Sequence, residues 1–266
     1  MKEERPMRVR VNDVLIRYEM QGPPGAPVVT FSHSLAAALE SWDLQLPPLR
    51  DAYRVLRMDT RGHGGSSAPP GPYTMEMLSS DVIGLLDHLD IARTHFVGLS
   101  LGGMIGQVLA VGYPERLDRL VLCDTSNRMP SETAPVWEER IRTAETQGMT
   151  ALARETLERW FSEAFRRDQP QATERIRNMI VRTPVAGYTG CCRAISRFDL
   201  SGELSRVKVP TLIMVGEKDE GTPVSAAETI QRQIEGSELF VIPGALHLSN
   251  IEGAAHFNRR LLSFLS

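Results

Sequence analysis

Gly98-Leu99-Ser100-Leu101-Gly102 has the form G-x-S-x-G. A serine in that frame, between a strand and a helix, sits on a sharp strained turn that lifts its hydroxyl clear of the backbone. Such a hydroxyl becomes a nucleophile at neutral pH only beside a base, and the base needs a third group to fix its tautomer. The chain has six histidines, His33, His63, His88, His95, His247 and His256. Only the last two follow the final predicted strands. His247 lies in the loop PGALHLSN, whereas His256 falls within a predicted helix, where a solvated ring suffices. His247 is therefore the expected base. The expected orienting carboxylate is Asp219, in the loop GEKDEGTP after the apolar run PTLIMVG, with Glu217 and Glu220 as neighbours that could compete. Asp124, at the end of another apolar run, is held in reserve. The order Ser, Asp, His is the one an elbow serine uses. A glycine-rich phosphate loop is the rival reading, but no Lys-Ser/Thr follows and G-x-G-x-x-G is absent.

Acyl transfer through such a serine develops an oxyanion, which needs two backbone N–H donors set in advance. Leu101, next to the nucleophile, is one. The other is expected from the loop Ser32-His33-Ser34-Leu35 and is assigned to Leu35. His33 and Ser34 are expected to shape that turn, and both are counted as candidate substrate contacts.

These residues must be brought together by regular elements. Met7–Val11 and Val14–Met20 read as a hairpin turning at Asn12-Asp13. Short apolar strands are predicted at Val28–Ser32, Tyr53–Asp59, Thr94–Leu99, Leu117–Cys123, Pro210–Gly216 and Leu239–Ile242. Helical spacing appears at Met75–Leu89, Leu101–Val111, Val224–Ile234 and Ala254–Leu265. Strand–helix alternation implies a mostly parallel sheet with helices on both faces. Between about 131 and 198 the chain is helical and rich in Glu and Arg, with predicted helices at Val136–Thr146, Thr150–Phe161 and Ala172–Val181. The fold class is thus α/β with an eight-stranded, mostly parallel sheet, and with its G-x-S-x-G elbow it resembles the α/β-hydrolase fold. Residues 1–125 and 205–266 form its core and residues 126–204 a helical cap over the C-terminal edge.

Composition narrows the partners. With 266 residues, 42% hydrophobic and 24% charged, the chain is of globular type, and its net charge of −3 offers no basic stripe for nucleic acid. No apolar run nears the ~18 residues that span a bilayer. MKEERPMRVRV lacks the apolar core of a secretory signal. Cys123, Cys191 and Cys192 are an odd number without C-x-x-C spacing, which suits buried apolar roles in a reducing, cytoplasmic compartment. A small ester or lactone is the expected partner; homo-oligomerisation is left open.

The segments WDLQLPPL, YRVLRMDTRGHGGSSAPPGPYT, HFVGLSLGGMIGQ, ERWF, GYTGCCRAI and ALHLSNIE resemble 3-oxoadipate enol-lactone hydrolases of the β-ketoadipate branch of aromatic catabolism. The resemblance spans residues 14–262. It implies Ser100, Asp219 and His247 as the catalytic triad, with no cofactor or metal. It also implies a carboxylate-bearing lactone, so a cation should stand near the cleft: Arg140 and Arg159, with Trp137 and Trp160 beside them, are the candidates. Two segments differ from the family. SHSLA stands where the lactonases have SNSLG, and S-L-G-G where many have S-M-G-G. A general carboxylesterase or perhydrolase, another lactonase, and a receptor-like ligand-binding protein on the same fold are the competing readings.

Overall fold

The structure is a computed structural model and describes residues 7–266. The charged stretch read for a signal begins in residues 1–6, outside the described residues. Eight strands form one sheet: β1 (Met7–Val11), β2 (Val14–Gln21), β3 (Val28–Ser32), β4 (Arg54–Met58), β5 (Thr94–Leu99), β6 (Leu117–Cys123), β7 (Thr211–Gly216) and β8 (Glu238–Ile242). Their order is β1-β2-β4-β3-β5-β6-β7-β8. β1–β2 and β2–β4 pair antiparallel, and the remaining pairs are parallel. β2 alternates buried and half-buried residues, as a strand near the edge with one wet face does. β5 and β7 are buried along their whole length, because helices cover both faces.

The helices are α1 (Leu46–Leu49), α2 (Met75–His88), α3 (Leu101–Gly112), α4 (Ala134–Gln147), α5 (Met149–Trp160), α6 (Glu163–Asp168), α7 (Pro170–Arg182), α8 (Val185–Ile195), α9 (Val224–Gln233), α10 (Ser249–Glu252) and α11 (Ala254–Leu265). α2, α3 and α9 contribute Leu78, Leu85, Ile105, Leu109 and Ile230 to the core on one face of the sheet. On the other face, Trp42, Leu49, Phe257 and Leu261 pack on Phe31, Val55 and Val97. The connection from β3 to β4 is a 3₁₀ turn (Leu39–Gln45) running into α1. Pro47 and Pro48 within α1 obscure that crossover in the sequence.

Register brings the chemistry to one edge. Ser32 aligns with Gly98, Leu99 with Cys123, Cys123 with Met214 and Gly216 with Ile242. Everything just beyond those residues, including Leu35, Ser100, Asp124, Asp219 and His247, therefore leaves the sheet on the same side. β3 and β5 are neighbours from which the chain winds in opposite directions, and such a switch point opens a crevice at the strand C-termini.

α4 to α8 are inserted between β6 and β7. Their seat on the sheet's edge explains the segment GYTGCC. A Cβ on Gly187 would stand 2.0 Å from the Gly62 carbonyl oxygen, and one on Gly190 would stand 2.8 Å from the Tyr73 ring. Side chains there would push α8 off the loop after β4. Cys191 and Cys192, on the same helix, are buried free thiols, as is Cys123. At the other end, the Glu252 carboxylate accepts from Ser162 N–H (3.1 Å) and Leu246 N–H (2.9 Å), clasping the start of α6 to the loop that carries His247.

Candidate active site

Ser100 occupies the turn between β5 and α3 at φ 55°, ψ −110°, a conformation that L residues rarely adopt. Its surroundings enforce that turn. A Cβ on Gly98 would lie 2.1 Å from the Gly102 carbonyl oxygen, and one on Gly102 the same distance from that of Ser32. Ser100 N–H donates to Cys123 O at 2.8 Å, and the Thr125 hydroxyl donates to Ser100 O at 2.9 Å. Its own hydroxyl makes no hydrogen bond among the described residues and faces a cavity of about 190 Å³.

His247 faces the same cavity. Its Nδ1–H donates to Asp219 Oδ2 at 2.8 Å, which leaves Nε2 as the basic nitrogen. Asp219 is itself fixed. Oδ1 accepts from Gly221 N–H (2.9 Å) and Thr222 N–H (3.1 Å), and Oδ2 from the Thr222 hydroxyl (2.5 Å). Burial opposes charge on both partners, but their mutual attraction and hydrogen bonding outweigh it. The Asp219 carboxyl is held below its ordinary pKa and the His247 ring above 6.5. Thr222 is a contributor that sequence reading missed, although it lies in the loop read for the acid. The rivals fall away. Glu217 turns to Gly244 N–H (2.8 Å), Glu220 is exposed, and His256 is exposed on α11.

The loop after β3 is held by two buried imidazoles. His33 Nδ1–H donates to Ser34 O (2.8 Å), and its Nε2 accepts from Thr60 N–H (3.0 Å). His63 Nε2 accepts from Ala36 N–H at 2.9 Å, across a turn in which Ala36 has φ 60°. Burial keeps both rings neutral and pushes the His63 pKa down to about 3. His33 as a substrate contact is therefore corrected: the ring is wholly buried and both its nitrogens are spent on backbone. Ser34 and Leu35 do line the cavity. Among the described residues, the N–H groups of Leu35 and Leu101 donate to no protein acceptor. Two free donors beside the elbow serine have the placement that a developing oxyanion needs.

The inserted helices close the cavity with Trp137, Arg140, Thr156, Arg159, Trp160 and Tyr188. Arg140 lies over the Trp137 ring, 4.8 Å from its centroid, and its buried Nε has no hydrogen-bond partner among the described residues. Arg159 is tied to Glu155 and to Thr156 Oγ1 (3.2 Å). Its pKa is lowered by burial and by the Arg140 charge, so the two cations stand close enough to repel. Trp160 stacks on the His247 ring at a centroid distance of 6.3 Å. A wider groove lies between α7 and the loops after β3 and β4, but its Arg17 and Arg175 are already paired with Glu19, Glu40, Asp59 and Asp43.

This architecture, with a serine on a strained elbow and a His–Asp pair on the next loops, is that of a hydrolase. The family described as alpha/beta hydrolase fold matches residues 27–254, and the chain belongs to it. Within that family the similarity runs to enol-lactonases. The chain is 36% identical to 3-oxoadipate enol-lactonase 2 of Acinetobacter baylyi over 92% of its own length and 91% of that protein's. It superposes on the crystal structure of the enol-lactonase from Burkholderia xenovorans LB400 with a TM-score of 0.95 and 39% identity, covering 97% of this chain and 99% of that one. A thermophilic esterase from Thermogutta terrifontis, solved with malate bound, matches with a TM-score of 0.90 and 31% identity over 98% of each chain. The protein is an enzyme that hydrolyses ester or lactone bonds, and among these a lactone hydrolase of this fold. No helix of the described residues is long and apolar enough to cross a membrane.

Proposed function

We propose that the enzyme opens a small carboxylate-bearing lactone, 3-oxoadipate enol-lactone, to 3-oxoadipate through an acyl-enzyme on Ser100. The observation that carries this reading is one small cavity lined at once by Ser100, the Asp219-bound His247 and two arginines of the inserted helices. His247 Nε2 takes the Ser100 proton as Oγ attacks the lactone carbonyl. The N–H groups of Leu35 and Leu101 receive the oxyanion. Collapse breaks the ring C–O bond, and the enol oxygen leaves, protonated by His247, still tethered to the acyl chain. The enol settles as the ketone. Water, deprotonated by His247, then attacks the ester carbonyl; Ser100 recovers its proton and the free acid departs. An enolate leaves more readily than an alkoxide, so the demand on His247 as an acid is modest.

The helical insertion, residues 126–204, is the cap that sets substrate choice. Arg140 and Arg159 hold the distal carboxylate, a role supported by their mutual repulsion and by the unpartnered Arg140 Nε. The Thermogutta esterase, of the same shape, was solved with malate, a small dicarboxylate, bound, which supports this reading. Arg140→Ala and Arg159→Ala should each lower kcat/KM for the charged lactone about 10- to 100-fold, the range of one charged hydrogen-bonded contact. Hydrolysis of neutral p-nitrophenyl acetate should change less than threefold. Steady-state rates on the two substrates check this; equal losses on both would remove carboxylate recognition from the account.

The proton inventory gives a pH dependence. The base acts only as neutral imidazole, and Asp219 raises the His247 pKa above 6.5. The rate kcat/KM should therefore fall as pH drops through that raised value, and Asp219→Asn should move the acid limb to lower pH. A pH–rate profile of both enzymes measures the displacement. A reducing, cytoplasmic setting is part of the same reading, supported by three buried free thiols.

A further inference from the structure

We infer that Asp124 is a positioning residue that sets the acid loop and the histidine loop in register with the nucleophile, from the strand end between them. This rests on the serine–histidine–aspartate reading above. Asp124 follows β6 directly and is fully buried. Its Oδ1 accepts from Gly216 N–H at 2.8 Å, the last residue of β7 before the loop that carries Asp219. Its Oδ2 hydrogen-bonds Ser249 Oγ at 2.5 Å, at the start of α10 just beyond His247. The residues on either side reach the third element. Cys123 O accepts from Ser100 N–H, and the Thr125 hydroxyl donates to Ser100 O. One short segment therefore touches the chain at the nucleophile, at the acid loop and at the base loop.

The backbone is bent to achieve this. Asp124 has φ 44°, a left-handed conformation that is costly for a non-glycine residue and is kept where surroundings over-determine it. Its N–H still donates to Met214 O, so the strand pairing holds to its last residue while the carboxyl turns across the loops. The side chain does not reach the cavity. It is thus neither a second nucleophile nor a substrate contact, and His247 Nδ1 already has Asp219. Burial, with the Asp219 charge behind it, pushes the Asp124 carboxyl well above the usual carboxylate range. A neutral group of the same shape should then do the same work. An asparagine can accept from Gly216 N–H through Oδ1 and donate to Ser249 Oγ through Nδ2; an alanine can do neither.

The test compares Asp124→Asn, Asp124→Ala and Ser249→Ala with wild type and a Ser100→Ala control, using p-nitrophenyl acetate and the enol-lactone. Asp124→Ala should lower kcat about 100-fold with KM within threefold, the scale of a small misplacement of catalytic groups. Asp124→Asn should keep at least a third of wild-type kcat. Ser249→Ala, which cuts only the arm to the histidine loop, should lose about tenfold and decides the matter if Asp124→Ala does not fold. A wild-type kcat in Asp124→Ala or in Ser249→Ala overturns the proposal. So does an Asp124→Asn enzyme as slow as Asp124→Ala, because then the hydrogen-bonding shape is not what matters. If Ser100→Ala remains active, the triad reading fails first; if it is dead while Asp124→Ala is normal, this proposal fails alone.

Discussion

Ser100→Ala is expected to lower kcat by at least about 10³-fold, and by as much as ~10⁶-fold, while leaving the fold intact. The range follows from serine hydrolases in which loss of the nucleophile leaves only the catalysis due to binding and the oxyanion donors. The fold should survive because nothing structural depends on the hydroxyl. The strained φ of 55° is enforced by backbone, with Cβ of residue 100 present in both proteins. The neighbouring contacts at Ser100 N–H and Ser100 O are also untouched. Thermal melting should therefore move by no more than a few degrees, while steady-state turnover of any ester collapses. A mutant that kept a tenth of wild-type kcat would require a different nucleophile.

Asp219→Asn should cost about 10⁴-fold in kcat, the effect of presenting a histidine base with the wrong tautomer. In the native site Asp219 Oδ2 accepts from both His247 Nδ1–H and the Thr222 hydroxyl, while Oδ1 takes the N–H groups of Gly221 and Thr222. An asparagine must keep its single oxygen on those two backbone donors or leave them unpaired, the Thr222 N–H in a buried setting. Its NH₂ then faces Nδ1 and makes that nitrogen an acceptor. The proton moves to Nε2, where the base should be. The imidazolium formed during attack also loses its counter-charge. Rates measured beside a circular dichroism spectrum separate this from unfolding. A loss below tenfold would mean that another carboxylate orients the ring.

The candidate site was legible in the sequence where short-range geometry dictates residue type. Gly98 and Gly102 are required because any side chain there would meet backbone about 2 Å away, and that requirement is local. Buried apolar runs such as Val28–Ser32 and Thr211–Gly216, alternating with helices, imply parallel strands whose C-terminal ends share one edge, so loops distant in the chain could be assigned to it; strand order and register came only with the structure. The helices at Glu163–Asp168 and Val185–Ile195 were less legible. Gly187 and Gly190 weaken the intrinsic preference for helix, and they are present for contact with Gly62 and Tyr73, which only the folded chain reveals. His33 was ambiguous for a similar reason. A histidine beside an oxyanion loop can reach substrate or hold backbone, and the choice depends on Thr60 and Ser34 presenting an N–H and a carbonyl to its two nitrogens. Asp124 could be seen as a carboxylate at the catalytic edge, but not as the partner of Gly216 and Ser249, because those bonds join segments far apart in the chain.

The histidine in SHSLA also has a physical reading. With His63 it forms a pair of neutral rings 5.3 Å apart that holds the turn at Ala36 from beneath. Neither ring lines the cavity, so the histidine bears on how the loop is supported, whereas Ala36, which stands where the lactonases have glycine, does line the cavity.

Reaction with a fluorophosphonate, followed by peptide mass mapping and residual activity, tests the nucleophile most directly. Activity should fall in proportion to one label per chain, found on the peptide that contains Ser100. Enzyme that remains active with residue 100 fully labelled, or that is silenced by a label on another residue, would contradict the account.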